Sequence, residues 1–459
     1  MTAILRNIYQ HTQGHFLRSL ITIAIPITLQ SILFSSKGLI DVLMLSQLDE
    51  IDVATIGVAS RAIFVTTIML GGITTGGALL TAQYWGAKDT QGVRESTALT
   101  WLATMGTALI TVCVFLVFPS HIMGLATDSA LVNQRGSEYL MITGFSMIAV
   151  ACVGSMSAGL RSMHQPGIST LFSTLGIIAN IFLNWVLIFG HFGLPALGIK
   201  GAAIATLLSS VIEVIALYGY LYGKQHLLAF SFLDIKRIIN KDKFTLFFSL
   251  SLPTTFNFLA WAAGLFTYTA IMGQTGVQGL AALSVIIPIE SLSLSLLVGI
   301  ANAAGVLVGN QIGAKNYDAV YYQAISFACI SFLVSLLVAM GLYNLKAPLL
   351  DMFTALTPGT RQLAESFIII LCFGVVLRSV PTTLVVGVLR AGGDVKFCLY
   401  QDMLTQWAFG IPLTALGAIW LNFPPEWVYA LFLLEAVFKW FACIHRLRSR
   451  KWIKNLIAA

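Results

Sequence analysis

The chain of 459 residues carries 26 basic and 19 acidic residues, so only 10% of it is charged, with a formal net charge of +7. A soluble domain is ordinarily about 25% charged, and a chain with 57% hydrophobic residues and a mean hydropathy of +0.86 could not keep its apolar surface from water. These values exclude an ordinary cytosolic enzyme, a disordered chain and a nucleic-acid-binding protein, and they predict a polytopic membrane protein.

At about 20 apolar residues per crossing, hydropathy predicts twelve helices. The first half supplies 17–46, 53–82, 97–118, 136–158, 166–190 and 196–222, and the second supplies 244–272, 278–309, 318–345, 362–386, 397–420 and 427–445. The runs are long and continuous, unlike the alternating segments of about ten residues in a membrane barrel. Residues 1–18 are polar and the apolar run after them is too long for a signal-peptide core, so no cleavable leader is expected. Six scattered cysteines form no CxxC pair and read as small packing residues.

A charge at a helix centre costs about 2.5–3.5 kcal/mol on insertion scales. Each ionisable residue in a span therefore needs a partner, a water-filled cavity or a changed protonation state. In the first span, Asp41 follows SSKG (35–38) in a helix that carries Pro26. Asp41 is either a proton-binding carboxylate in a cavity or the ion-pair partner of Lys37, four residues away on the same face. Pro26 has no N–H to offer the Thr22 carbonyl, which makes it a bending point or a static kink. In the fifth span, Asn180 and Asn184 lie on one face of an apolar helix. Two amides in hydrocarbon demand partners, which are either Asp41 or a neighbouring helix.

Arg61 and Glu290 are expected to face the membrane, and Arg378 and Glu213 stand alone in their spans. Asp402 lies near a helix end, where its side chain can snorkel. Glu435 and Lys439 have the spacing and order of a structural i,i+4 pair. None of these is given a functional role.

The longest polar stretch, 223–243, divides the chain nearly in half and is either an interfacial helix or a solvated loop. Across it, WGAKD (85–89) recurs as IGAKN (312–316) at an offset of 227, which also lays Pro26 on Pro253; GLRS (159–162) pairs with VLRA (388–391) at an offset of 229. Six spans per half make these parallel repeats, as in secondary transporters. The predicted organisation is an N-lobe (1–222), a cytoplasmic linker (223–243), a C-lobe (244–445) and a basic cytoplasmic tail (446–459). With the N-terminus inside, eighteen basic residues fall on the cytoplasmic side and four, Arg135, Lys200, Lys346 and Arg361, fall outside. Both termini are therefore expected in the cytoplasm and the protein in the plasma (inner) membrane. No HExxH, G-x-S-x-G or Walker A motif occurs, so an ion gradient, not ATP, is the expected energy source.

AIPITLQ (24–30), Asp41, the GAKD segment ending at Asp89, GLRS (159–162), Asn180, Asn184 and GIKGAAIAT (198–206) in the first half resemble the multidrug and toxic compound extrusion (MATE) family. So do SLPTTFN (251–257), LVGIANAAGVLVGNQIGAKN (297–316) and VGVLRAGGD (386–394) in the second. The pattern is most similar to the DinF-type branch. The resemblance implies an all-α fold of twelve transmembrane helices in two parallel lobes. It implies export of cationic or lipophilic drugs in exchange for H⁺, with Na⁺ as the alternative ion and no cofactor. It places a coupling site at Asp41, Asn180, Asn184 and Thr206, with Tyr139 nearby and Pro26 as the bending proline. Lys37 departs from the family pattern and is a possible modulating charge. The first outer loop, LSQLDEIDVA (45–54), lacks the usual glycine-rich form. The acidic second-lobe site of NorM-type members has no clear match, which favours H⁺; no metal site is expected. The expected partners are small-molecule drugs or toxic organic cations and membrane lipid, without nucleic acid, acting on a monomer.

Three rivals remain. A lipid-linked oligosaccharide flippase would need a basic cavity, for which Arg61, Arg378 and Lys37 are the available cations. A major-facilitator transporter fits the span count but not the loop 84–96. An integral membrane enzyme would need clustered acids, histidines or a metal site.

Overall fold

The structure, a computed structural model, describes residue 6 and residues 14–457 apart from 46–49, 126, 128, 232–233, 236–240, 352 and 354–356. Every regular element among these residues is a helix. They are α1 (His15–Leu45), α2 (Glu50–Gly86), α3 (Thr90–Val117), a short α4 (Pro119–Gly124), α5 (Ala130–Gly144), α6 (Ser146–Ser162), α7 (Pro166–Phe189) and α8 (Gly198–Gly223). The second half holds α9 (Lys241–Gly273), α10 (Val277–Gly313), α11 (Tyr317–Asp351), α12 (Pro358–Thr382), α13 (Val395–Asp402), α14 (Ile411–Ala415) and α15 (Pro425–Ser449).

Ten of the described helices are long and apolar enough to cross a membrane, and the pair α5–α6 makes an eleventh. The span expected as one helix over 136–158 is thus two, bent by 41° around Phe145. The span expected over 397–420 is continuous but alternates α13 and α14 with π-helical turns at 403–410 and 416–420. A further π segment at 383–389 extends α12.

The internal repeat is visible in the backbone. α2 and α10 are both 37 residues long and begin and end at the same offset of 227. In the turns that follow them, Lys88 and Lys315 take left-handed φ values of 59° and 62°. Each turn is closed by the same backbone bond, Asp89 N–H to Tyr84 O at 3.0 Å and Asn316 N–H to Gln311 O at 2.9 Å. The GLRS and VLRA segments end alike: His164 and Gly393 are left-handed at 62° and 81°, and the bonds Gln165 to Leu160 and Asp394 to Leu389 match at 2.9 and 3.0 Å. Ordinary capping starts several helices. Asp89 accepts from Gly92 N–H at 2.9 Å before α3, Thr357 accepts from Thr360 N–H before α12, and Pro166, Pro358 and Pro425 open helices where no N–H is needed.

Two compact units result. One comprises Met1–Thr28, Gly86–Lys88 and Phe256–Ala459; the other comprises Leu29–Trp85 and Asp89–Thr255. The unit boundary cuts α1 and α9 each two residues beyond its internal proline, Pro26 and Pro253. A proline withholds one helical hydrogen bond, so both helices change units where they bend most easily.

Most of the linker stretch that would form an interfacial helix (Phe232, Lys236, Arg237, Ile238, Ile239) lies outside the described residues, as do residues 46–49 of the first outer loop. Around the linker, Lys243 is ion-paired with Glu95, and Arg94 lies 3.5 Å from Asp234. The basic tail folds back on its own unit. Trp452 is fully buried, Lys454 N–H donates to Gly392 O at 3.0 Å, and Asp394 pairs with Arg446 at 2.6 Å and with Lys454 at 2.8 Å.

Candidate functional site

The site is built where α7 meets α8. α7 ends at left-handed Gly190, and the turn returns through a bond from Leu197 N–H to Leu187 O at 3.0 Å. Gly201 then lets α8 press against the α7 backbone, because a Cβ there would sit 2.4 Å from the Leu187 carbonyl oxygen. This contact brings Thr206 of α8 to Asn180 of α7, whose Nδ2 donates to Thr206 Oγ1 at 3.5 Å.

Asn180 and Asn184 are both fully buried. Asn184 Nδ2 donates to Asp41 Oδ1 at 2.5 Å and to Asn180 Oδ1 at 3.3 Å. Asn184 therefore partners Asp41, and Asn180 partners Asn184 and Thr206. Asn184 Oδ1 is buried without a partner, a costly state for a carbonyl oxygen. Tyr139 is near enough to feel the charge of Asp41. No ion pair within 4 Å joins Lys37 to Asp41 among the described residues; Lys37 acts on Asp41 through space, and on Glu213 as well.

The same unit contains a polar chain that spacing alone did not single out. Gln30 Nε2 donates to Ser173 Oγ at 3.0 Å, and Ser173 donates to Glu213 Oε1 at 2.7 Å. Two signals for it were available. Ser173 shares a helical face with Asn180 and Asn184, and Glu213 follows Thr206 by seven residues, two turns along the same face.

In the other unit the buried charges are matched. Arg378 pairs with Glu290, which also accepts from Tyr429 Oη at 3.5 Å. Lys439 lies 3.1 Å from Asp402 and 3.5 Å from Glu435, and Tyr268 Oη donates to Glu435 at 2.9 Å. Asn257 donates to Asp402 at 3.0 Å and accepts from Arg390. Two expectations are corrected here: Glu290 is paired inside its unit, and Asp402 does not snorkel but meets Asn257 and Lys439; Arg378, alone in its span, takes its partner from α10. The Glu435–Lys439 pair is present, with Asp402 as a third member. Arg61 is exposed. No group of three His, Cys, Asp or Glu side chains among the described residues could hold a metal.

Residues 26–186 and 253–416 match the MatE family. The chain belongs to that family. The two matched stretches fall on the two repeats, and the expected twelve-helix, two-repeat fold is the one found. This MatE protein is 26% identical over 455 residues to the uncharacterized transporter YisQ of Bacillus subtilis, covering 96% of each chain. It is 22% identical over 401 residues to the probable multidrug resistance protein NorM of Agrobacterium fabrum, covering 86% of this chain and 85% of that one. Its fold superposes on a crystal structure of MATE in complex with MaL6 with a TM-score of 0.87 at 16% identity, covering 94% and 96% of the two chains. Members of the family are transporters, not enzymes, and this chain is a multi-pass membrane transporter.

Proposed function

We propose that this MatE transporter exports cationic or lipophilic small molecules in exchange for protons, with Asp41 binding the coupling proton and α1 bending at Pro26. The name of the Agrobacterium relative supports the substrate class. The observation that carries the coupling site is the hydrogen bond between fully buried Asn184 and Asp41. A neutral amide serves both states of a carboxyl group. Its nitrogen donates to the carboxylate, as it does here, and after a flip its oxygen accepts from the protonated acid. The unpartnered Asn184 Oδ1 is the acceptor that a proton on Asp41 would satisfy. A hard cation demands oxygen ligands, and here the amide nitrogen faces the carboxylate, which favours H⁺ over Na⁺.

The cycle then follows. Asp41 takes a proton from outside, Asn184 reorients, and the hydrogen-bonded run to Asn180 and Thr206 rearranges. The strain is taken up in α1 beside Pro26, where a helical bond is already missing. Glu290 has Arg378 as its own partner, and Asp402 and Glu435 share Lys439, with Arg390 joined to Asp402 through Asn257; three cations thus balance three carboxylates, which supports placing coupling in the unit that holds Asp41.

The remaining parts of this reading are a DinF-like placement within the family, lobes of 1–222 and 244–445 joined by a cytoplasmic linker, action as a monomer, and a plasma-membrane location with both termini in the cytoplasm. An oligosaccharide flippase would use free basic groups, whereas Arg378 and Lys439 are tied to carboxylates and Arg390 to Asn257. Efflux of a fluorescent cation from proteoliposomes, with proton and sodium gradients imposed separately, tests the reading. Export driven by the proton gradient alone is expected; export driven only by sodium would overturn it.

A further inference from the structure

Of the five carboxylates that the sequence places inside spans, Glu213 and Asp41 are the two with no cation within ion-pair distance among the described residues. It sits on α8, and its place is prepared from α7. A Cβ at Gly176 would lie 2.7 Å from Glu213 Oε2, so the glycine lets the carboxylate lie against α7 and a larger residue would displace it. Ser173, 1% exposed, donates to it at 2.7 Å, and Gln30, 8% exposed, donates to Ser173 at 3.0 Å. Gln30 lies one turn beyond Pro26 on α1, two residues past the point where that helix passes between units. Ser173, Gly176, Asn180 and Asn184 on α7, with Thr206 and Glu213 on α8, thus form a polar seam with a carboxylate at each end. Thr206 and Glu213 are about 10 Å apart along the helix axis.

The charges do not balance. Among the titratable groups on the neighbouring helices, Lys37 of α1 acts on Glu213, whereas Asp41 of α1, Cys152 and Arg161 of α6 and Tyr218 of its own helix are not among the groups that act on it. Lys37 acts on Asp41 too. One ammonium compensates one carboxylate. With both acids ionised the seam carries a net negative charge in a poorly solvated place, which is costly unless a proton or cation joins it.

We propose that Glu213 is a second exchangeable proton site, connected to α1 through Ser173 and Gln30. Resting on the proton-coupled reading above, this makes the transporter a two-proton device with Lys37 shared between the sites. When Glu213 is ionised, the Ser173 hydroxyl points to it and the Gln30 amide points to Ser173. A proton on Glu213 removes the charge that orients both donors and loosens Gln30 from α7 beside the bend.

Infrared difference spectra of the purified full chain, stepped from about pH 9 to about pH 5, read each carboxyl group as it gains a proton. Wild type is expected to show two buried carboxyl bands. Glu213→Gln should lose one and keep the other, and Asp41→Asn should do the reverse. A Glu213→Gln spectrum identical to wild type overturns this proposal whatever Asp41→Asn shows; an unchanged Asp41→Asn spectrum with a lost Glu213 band overturns the Asp41 reading instead. Ser173→Ala keeps the acid and removes its donor, so it tests the site even where the Gln variant folds poorly. A displaced Glu213 band is expected, and an undisplaced one refutes the link to α1.

Discussion

Lys439 holds two carboxylates, at 3.1 and 3.5 Å, and all three side chains are at most 15% exposed. At an effective dielectric of about 20, each contact is worth about 5 kcal/mol of gross attraction. Most of that offsets the cost of burying the charges, and truncating one partner of such a cluster costs about 3–5 kcal/mol. Lys439→Met should therefore destabilise the protein by about that amount, because Asp402 and Glu435 then face each other with only the neutral donors Asn257 and Tyr268. Buried free Cys372, Cys398 and Cys443 supply the assay: a thiol-reactive dye in detergent reports unfolding as they become accessible on heating. The single variant should melt several degrees lower. Combining it with Asp402→Asn and Glu435→Gln removes the unpaired charge and should recover most of the loss while proton-driven efflux persists. A single variant as stable as wild type, or a folded triple variant that no longer couples efflux to protons, would refute the assignment of this cluster to stability.

Gly201→Ala places a methyl group 2.4 Å from a backbone oxygen, which cannot rotate away. A cost of about 1–3 kcal/mol is expected, together with slower efflux as α7 and α8 part and Asn180 loses Thr206; unchanged melting and transport would show that the close approach is dispensable. At the turn after α12, burial pushes the carboxyl of Asp394 up, but Arg446 and Lys454 outweigh it and hold it below the ordinary value. A group depressed on folding stabilises above its unfolded value of about 3.9 and loses that contribution as pH falls through the folded value. Protection from hydrogen exchange in residues 450–457, taken relative to the unstructured rate at each pH, should thus be high and constant from about pH 5 to 8 and fall only in stronger acid. Asp394→Asn loses the charge-assisted bond to Arg446, worth about 1.5–3 kcal/mol, so exchange there should quicken about tenfold to a hundredfold at neutral pH. Unaltered exchange would mean that Trp452 alone fastens the tail.

What could be read from the chain follows the range of the interactions. Asn180 and Asn184, or Glu435 and Lys439, are four residues apart, and helical spacing alone puts each pair on one face. The span positions and the 227-residue offset are likewise local or repetitive signals, and the left-handed turns at Lys88 and Lys315 show that the offset has structural content. Arg378 and Glu290 are 88 residues apart, and Ser173 and Glu213 are 40 apart; nothing in either span announces the partner, so these residues read as isolated charges. Thr206 and Tyr139 entered only through family likeness. The bend at Phe145 and the π turns in 383–420 were illegible because hydropathy averages over a window and is indifferent to how the helix is wound.

The central claim is that the proton which drives export resides on Asp41. Asp41→Asn keeps the shape of the side chain and its bond to Asn184 while removing the titratable group. In proteoliposomes with an imposed pH gradient and no sodium gradient, the wild-type protein should export a lipophilic cation against its gradient. The Asn variant, equally folded by thermal melting, should bind the cation but fail to accumulate it. Gradient-driven export by Asp41→Asn at the wild-type rate would contradict the account.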